Sequence, residues 1–205
     1  MLPMRLIVSL TTCVVCTMLL GTARAVTLTF TDVDPYGIQY FASVTPVSGS
    51  LYDVSFTINT AGYTGTQDAW LDWVNLKISP HNPASVSNLN LPTGWSYTGS
   101  QAGKVTLESA VVNAPPDASD IYIPVSGSKP TVTFSYRVDL TGTSLKTDEW
   151  PYQARYLFKT NKPDKYNQTI VSRELRPQGG VIPEPTTLLL FGMGVAAPLA
   201  LRRRT

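Results

Sequence analysis

Between residues 131 and 140 apolar and polar side chains alternate without a break, with Val132, Phe134, Tyr136, Val138 and Leu140 set against Thr131, Thr133, Ser135, Arg137 and Asp139. Successive side chains of a strand point to opposite faces, so this run has one face for a core and one for water; wound as a helix it would scatter its apolar residues around the axis. The same alternation sets Val26, Leu28 and Phe30 against Thr27, Thr29 and Thr31, and Tyr52, Val54, Phe56 and Ile58 against Asp53, Ser55, Thr57 and Asn59. Further strands are expected over residues 38–44, 69–79, 86–91, 104–113, 120–125, 152–159 and 169–175, with Gly-, Pro- and Ser-rich turns between them. No helical period interrupts them. Many short strands at this spacing predict an all-β domain, an antiparallel two-sheet β-sandwich with its apolar faces turned inward.

The first 25 residues stand outside this pattern. Arg5 leads an apolar stretch over residues 6–20, and Ala23-Arg24-Ala25 forms an A-x-A site, so the segment reads as a secretory signal peptide cut after Ala25. Cys13 and Cys16 both fall inside it, and the mature chain beginning at Val26 is expected to hold no disulfide, thiolate nucleophile or cysteine metal site. The full chain carries a formal charge of +2, but Arg5, Arg24 and three terminal arginines sit in the end segments, leaving residues 26–182 mildly acidic. No basic patch for nucleic acid is indicated. At about 155 residues this region suits a single domain with a sizeable core.

The other end is built in three parts. Pro183 and Pro185 fix their own φ and bias their predecessors away from helix, so Pro183-Glu184-Pro185 should stand extended, as a protease cleft requires. Residues 186–201 carry no charge and, as a helix, would reach about 24 Å at roughly 1.5 Å per residue, a marginal transmembrane helix against a hydrocarbon core of about 30 Å. Arg202, Arg203 and Arg204 then form a cationic membrane stop that keeps the tip cytoplasmic and leaves the ectodomain outside. Residues 178–181, with Gly179 and Gly180, form a flexible linker.

This tail, over residues 182–205, resembles the PEP-CTERM sorting signal, which is handled by the bacterial membrane protease-transpeptidase called exosortase. The segment from Asp68-Ala69-Trp70-Leu71-Asp72-Trp73 to Ser79, with Gly94-Trp95 and Tyr152-Gln153-Ala154-Arg155-Tyr156, is similar to the ectodomain of one group of PEP-CTERM proteins. The domain order expected is thus a signal peptide (1–25), a β-sandwich ectodomain (26–177), the linker (178–181) and the sorting signal (182–205). The resemblance implies a Gram-negative host that makes exopolysaccharide and an exosortase acting near Pro183-Glu184-Pro185. The expected partners are the Sec export machinery, exosortase and exopolysaccharide. The precursor is expected in the inner membrane with its ectodomain in the periplasm, and the mature form at the cell surface or secreted.

Within the ectodomain, catalytic chemistry finds little support. His81 is the only histidine, set in a Pro-rich turn, and no G-x-S-x-G presents a serine, so neither a two-imidazole metal site nor a triad is expected. Asp148 and Glu149 are sequence neighbours and point to opposite faces of a strand, and Asp68 and Asp72 would lie side by side, so neither pair spans a glycosidase cleft. The reading is a non-enzymatic protein without a cofactor. Asp32 and Asp34 offer two carboxylates to calcium, a weak candidate beside the ordinary turn that Asp34-Pro35-Tyr36-Gly37 makes. The aromatics carry a second reading. With Trp70, Val74, Leu76 and Ile78 as the inward face of their strand, Trp73 points outward, and with Trp95 and Trp150 near turns an exposed indole could stack on a sugar ring. Thr27, Thr29, Thr31, Thr131 and Thr133 also form rows like an ice-binding surface, the remotest alternative, since alternating threonine is what any solvent-facing strand shows.

Overall fold

The computed structural model describes residues 26–110, 116–162 and 165–178, so the signal peptide, Gly179 and everything beyond it lie outside the described residues. The described chain is all-β. Its strands are β1 (Leu28–Val33), β2 (Gln39–Ser48), β3 (Leu51–Asn59), β4 (Ala69–Lys77), β5 (Ser85–Asn90), β6 (Trp95–Gln101), β7 (Lys104–Ser109), β8 (Ile121–Ile123), β9 (Thr131–Asp139), β10 (Trp150–Lys159) and β11 (Tyr166–Pro177). The alternating run at 131–139 is β9, whose Phe134, Tyr136 and Val138 are buried while their neighbours are not.

The strands do not separate into the two independent sheets expected of a sandwich. They follow one hydrogen-bonded path, β5-β9-β3-β2-β1-β11-β10-β4-β7-β6, with β8 set beside β4. The two halves of this path meet at β1 and β11 through only two residue pairs, Phe30 with Pro177 and Thr31 with Arg176. Strand twist coils so long a sheet until its inner face closes on itself. Across the interior Phe30 stacks on Trp150 with ring centroids 4.2 Å apart, and Tyr40 packs on Tyr152 at 4.4 Å. Near the far ends of the path, Trp95 of β6 meets Phe134 of β9 at 4.9 Å. The result is a nearly closed, barrel-like sheet around one aromatic core. Alternation could not distinguish this from a sandwich, because both give every strand one inward face.

Strand β6 had no counterpart among the expected elements. Its sequence Trp95-Ser96-Tyr97-Thr98-Gly99-Ser100-Gln101 is too polar to show a period, and it makes a register shift between Tyr97 and Gly99. What holds it is the hairpin to β7. Ala102 and Gly103 have φ of 50° and 81°, which gives the tight two-residue turn whose twist matches paired strands. A side chain at Gly103 would come within 1.8 Å of the Ser79 carbonyl oxygen, so glycine lets this turn press against the end of β4.

The decisive local feature is in β4. Arg155 of β10 pairs with Trp73 and Tyr156 pairs with Leu71, so Asp72 is an extra residue, a β-bulge. It falls where β4 exchanges one neighbour for another, β8 alongside residues 69–71 and β7 alongside 73–77. The bulge reverses the parity of the strand: Ala69 and Leu71 face the core on one side of it and Val74 and Leu76 on the other. Trp70, expected inward with Val74, is turned to the outer surface.

Candidate functional site

Two of the three tryptophans proposed as a ligand platform are structural. Trp150 is 0% exposed, and its indole N–H donates to the Lys146 carbonyl at 2.8 Å. Trp95 is 7% exposed, and its indole N–H donates to the Ser119 carbonyl at 2.8 Å. Lying near a turn placed both rings at the ends of the core rather than in solvent, with each polar edge given a carbonyl partner. Trp73 does face outward, half-buried, with the Arg155 guanidinium 5.7 Å from its ring centre.

The bulge adds Trp70 to the same face and with it two residues that sequence reasoning missed. Tyr122 of β8 lies opposite Trp70 in the ladder, its ring 5.1 Å away, and Tyr166 at the start of β11 meets Trp70 edge-on at 5.5 Å. Leu157, between them on β10, is buried but lies outside the core cluster, which marks this as a second apolar cluster on the outer side of the sheet. Tyr122 is 45% exposed. Further along the same strands the surface becomes polar: Asn75 donates to Gln153 at 2.9 Å, and Gln153 donates to Ser172 at 2.8 Å. A shallow groove of about 590 Å³ runs over these residues.

Beneath the face, the Arg155 Nε donates to Asp72 at 2.9 Å, an ion pair with both partners buried. The pair fixes Arg155 over Trp73 and accounts for a carboxylate in the bulge of a core strand.

Asp32 and Asp34, the calcium candidates, are used by the fold itself. Asp34 is buried and accepts from the backbone N–H groups of Tyr36 (2.9 Å) and Ile38 (3.0 Å) and from the Tyr40 hydroxyl (3.0 Å), which also hydrogen-bonds the Tyr156 hydroxyl. Asp32 takes Arg173 at 2.6 and 3.1 Å and the Tyr152 hydroxyl at 2.9 Å, bracing the thin β1–β11 seam. Among the described residues no three His, Cys, Asp or Glu side chains are grouped as a metal site. Of the threonine rows, Thr57 and Thr133 spend their hydroxyls on each other at 2.8 Å, and Thr27 and Thr45 do so at 2.9 Å.

These two carboxylates should respond to pH in opposite senses. Burial, opposed by its three donors, raises the Asp34 pKa. Burial also acts on Asp32, but the Arg173 and Tyr152 hydrogen bonds and the Arg173 charge outweigh it, and its pKa is lowered. The Asp34 contribution is therefore full below the unfolded value near 3.8 and is lost as pH rises through the folded pKa, whereas that of Asp32 is present above 3.8 and is lost as pH falls. In melting curves from pH 3 to 7, Asp34→Asn should gain on the wild type as pH rises, and Asp32→Asn should fall behind it. Parallel curves for both variants would contradict this assignment.

The sorting residues Pro183, Glu184 and Pro185, the stop Arg202, Arg203 and Arg204, and the signal-cleavage residues Ala23 and Ala25 all lie outside the described residues. The domain's last described residue leads toward them from the seam: the Gln178 N–H donates to the Thr29 carbonyl at 2.9 Å, beside the start of β1. No curated protein and no solved structure matches the chain. Residues 181–204 match the family model of the PEP-CTERM protein-sorting motif. The chain therefore carries the PEP-CTERM signal, which implies export, processing by an exosortase and exposure at the cell surface.

Proposed function

We propose that this is an exported, non-catalytic component of a Gram-negative cell surface or extracellular matrix, made as a precursor with a removable signal at each end. The observation that carries the reading is the sorting motif at residues 181–204. Export runs through the Sec machinery. The marginal apolar segment and the arginine stop hold the precursor at the inner membrane, ectodomain in the periplasm, while Pro183-Glu184-Pro185 meets the exosortase. A non-catalytic role is supported by the carboxylates at the core: Asp34, Asp72 and Asp120 each accept a hydrogen bond from the fold itself.

A second reading gives the domain a ligand, a carbohydrate of the exopolysaccharide surrounding the cell. It is favoured by the outward Trp70, Tyr122, Tyr166 and Trp73, since exposed rings stack on the apolar faces of sugars.

The sorting reading is tested by the intact mass of the protein recovered from the surface or medium of its host, with and without the exosortase. A form that starts at Val26 and ends near Pro183-Glu184-Pro185, present only with the exosortase, is expected. A C-terminus that keeps Arg202-Arg203-Arg204 in both strains would overturn it.

A further inference from the structure

The outer face of β4, β7, β10 and β11 has three features that its packing alone does not account for. The first is a like-charge pair. Lys77 and Lys104 are direct cross-strand partners, both partly exposed, and neither is in an ion pair among the described residues. Like charges directly opposite each other on a sheet destabilise it. Lys104 reaches only a neutral acceptor, Gln153 Oε1 at 3.3 Å, whereas the arginines beside the groove are paired with carboxylates, Arg173 with Asp32 at 2.6 Å and Arg176 with Glu149 at 3.6 Å.

The second is an acceptor with nothing to accept. Asn75, only 4% exposed and lining the groove, has a side-chain oxygen with no hydrogen-bond donor. A buried acceptor left in this state is costly unless something supplies a donor, and a hydroxyl group would do so. The third is the aromatic cluster of Trp70, Tyr122 and Tyr166 on the same face, with Trp73 between it and the groove. From Trp70 to Lys77 the face extends about 20 Å at roughly 3.3 Å per residue, long enough for several linked rings.

We infer that this face binds an acidic polysaccharide, a chain of carboxylate-bearing sugars, with its rings over the aromatic cluster, its hydroxyls donating to Asn75, and its carboxylates between Lys77 and Lys104. The three requirements are an apolar ring face, hydroxyl donors and a fixed negative charge, and a uronate polymer meets all of them on one chain. On the β11 side Glu174 stands beside Glu149, which raises the Glu174 pKa through their hydrogen bond and mutual repulsion. This acidic edge turns an anionic chain away from β11, and Glu108 of β7, opposite Trp73, keeps its carboxylates toward the Lys77–Lys104 end of the face.

The inference rests on the carbohydrate-binding reading and adds the charge of the ligand, so the test separates the two. The full chain in detergent micelles is titrated calorimetrically with polygalacturonate and with the same polymer fully methyl-esterified, which keeps the sugar rings and removes the charge. Binding of polygalacturonate about tenfold tighter than the ester is expected, with Lys77→Gln/Lys104→Gln abolishing that difference. Tyr122→Ala, at a site 45% exposed, should weaken both polymers. Equal binding of the two polymers by the wild type would overturn the acidic assignment and leave carbohydrate binding standing. Binding to neither would overturn both. Binding of polygalacturonate that is indifferent to Tyr122→Ala would reveal charge attraction alone and also overturn the proposal, as would a titration replaced by self-association of the chain on this face.

Discussion

Replacement of Pro183, Glu184 and Pro185 by alanine is expected to eliminate the shortened form of the protein altogether, leaving a full-length chain that still ends in Arg202-Arg203-Arg204. Proline disfavours helix at its own and the preceding position, and alanine, the best helix former, would remove that bias. A backbone held in helix cannot lie extended in a protease cleft, so both the recognition groups and the conformation are lost together. Intact mass of the membrane fraction reads the result directly. Continued appearance of a form ending near residue 183 in this variant would show that the motif is not what the exosortase recognises.

Asp72→Ala is expected to destabilise the domain by about 3–5 kcal/mol, because it leaves the buried Arg155 guanidinium without its counter-charge. The same principle predicts a different result for the double variant Asp72→Leu/Arg155→Met. With both charges gone, the desolvation penalty disappears as well, and most of the loss should be recovered. Urea unfolding of the two variants, followed by tryptophan fluorescence, distinguishes them. A single variant as stable as the wild type would mean that solvent reaches Arg155 freely, contrary to its 8% exposure.

That ion pair also marks the limit of what the sequence disclosed. In β9 and β3 the alternation is uninterrupted, and every inward residue could be read directly. In β4 the apolar residues Trp70, Leu71, Trp73 and Val74 flank Asp72 so closely that either parity of the strand looks plausible. Counting back from Ile78, Leu76 and Val74 puts a carboxylate in the core, and this was the available signal: a charge at an inward position calls either for a buried partner or for an extra residue. Both are present. Without the bulge Trp70 was assigned to the wrong face, and its neighbours were invisible for separate reasons. Tyr122 fell within an expected strand, but the strand that forms has three residues, too short to show what its outward side chain meets, and Tyr166 precedes the expected start of its strand. Trp95 and Trp150 failed in the other direction, since proximity to a turn says nothing about whether a ring points along the barrel axis or away from it. The joining of the two halves of the sheet depends on two residue pairs between the first and last strands, a contact across most of the domain's length that no local pattern records. The tail needed no such contact, because its signal is composition and order along the chain.

The route by which the chain leaves the domain has a mechanical consequence. Gln178 follows directly from β11, and β11 is joined to β10 by ten consecutive residue pairs but to β1 by two. A pull on the C-terminal tether, with the outer face of β4 and β10 gripping something rigid, would run along the strand axis and load the long ladder in shear, where many bonds share the force. The two seam pairs, at Arg176 and Pro177, stand where the tether leaves and would part first, passing the load to the ten-pair ladder, so a surface protein built this way would yield slightly under drag before it is held fast.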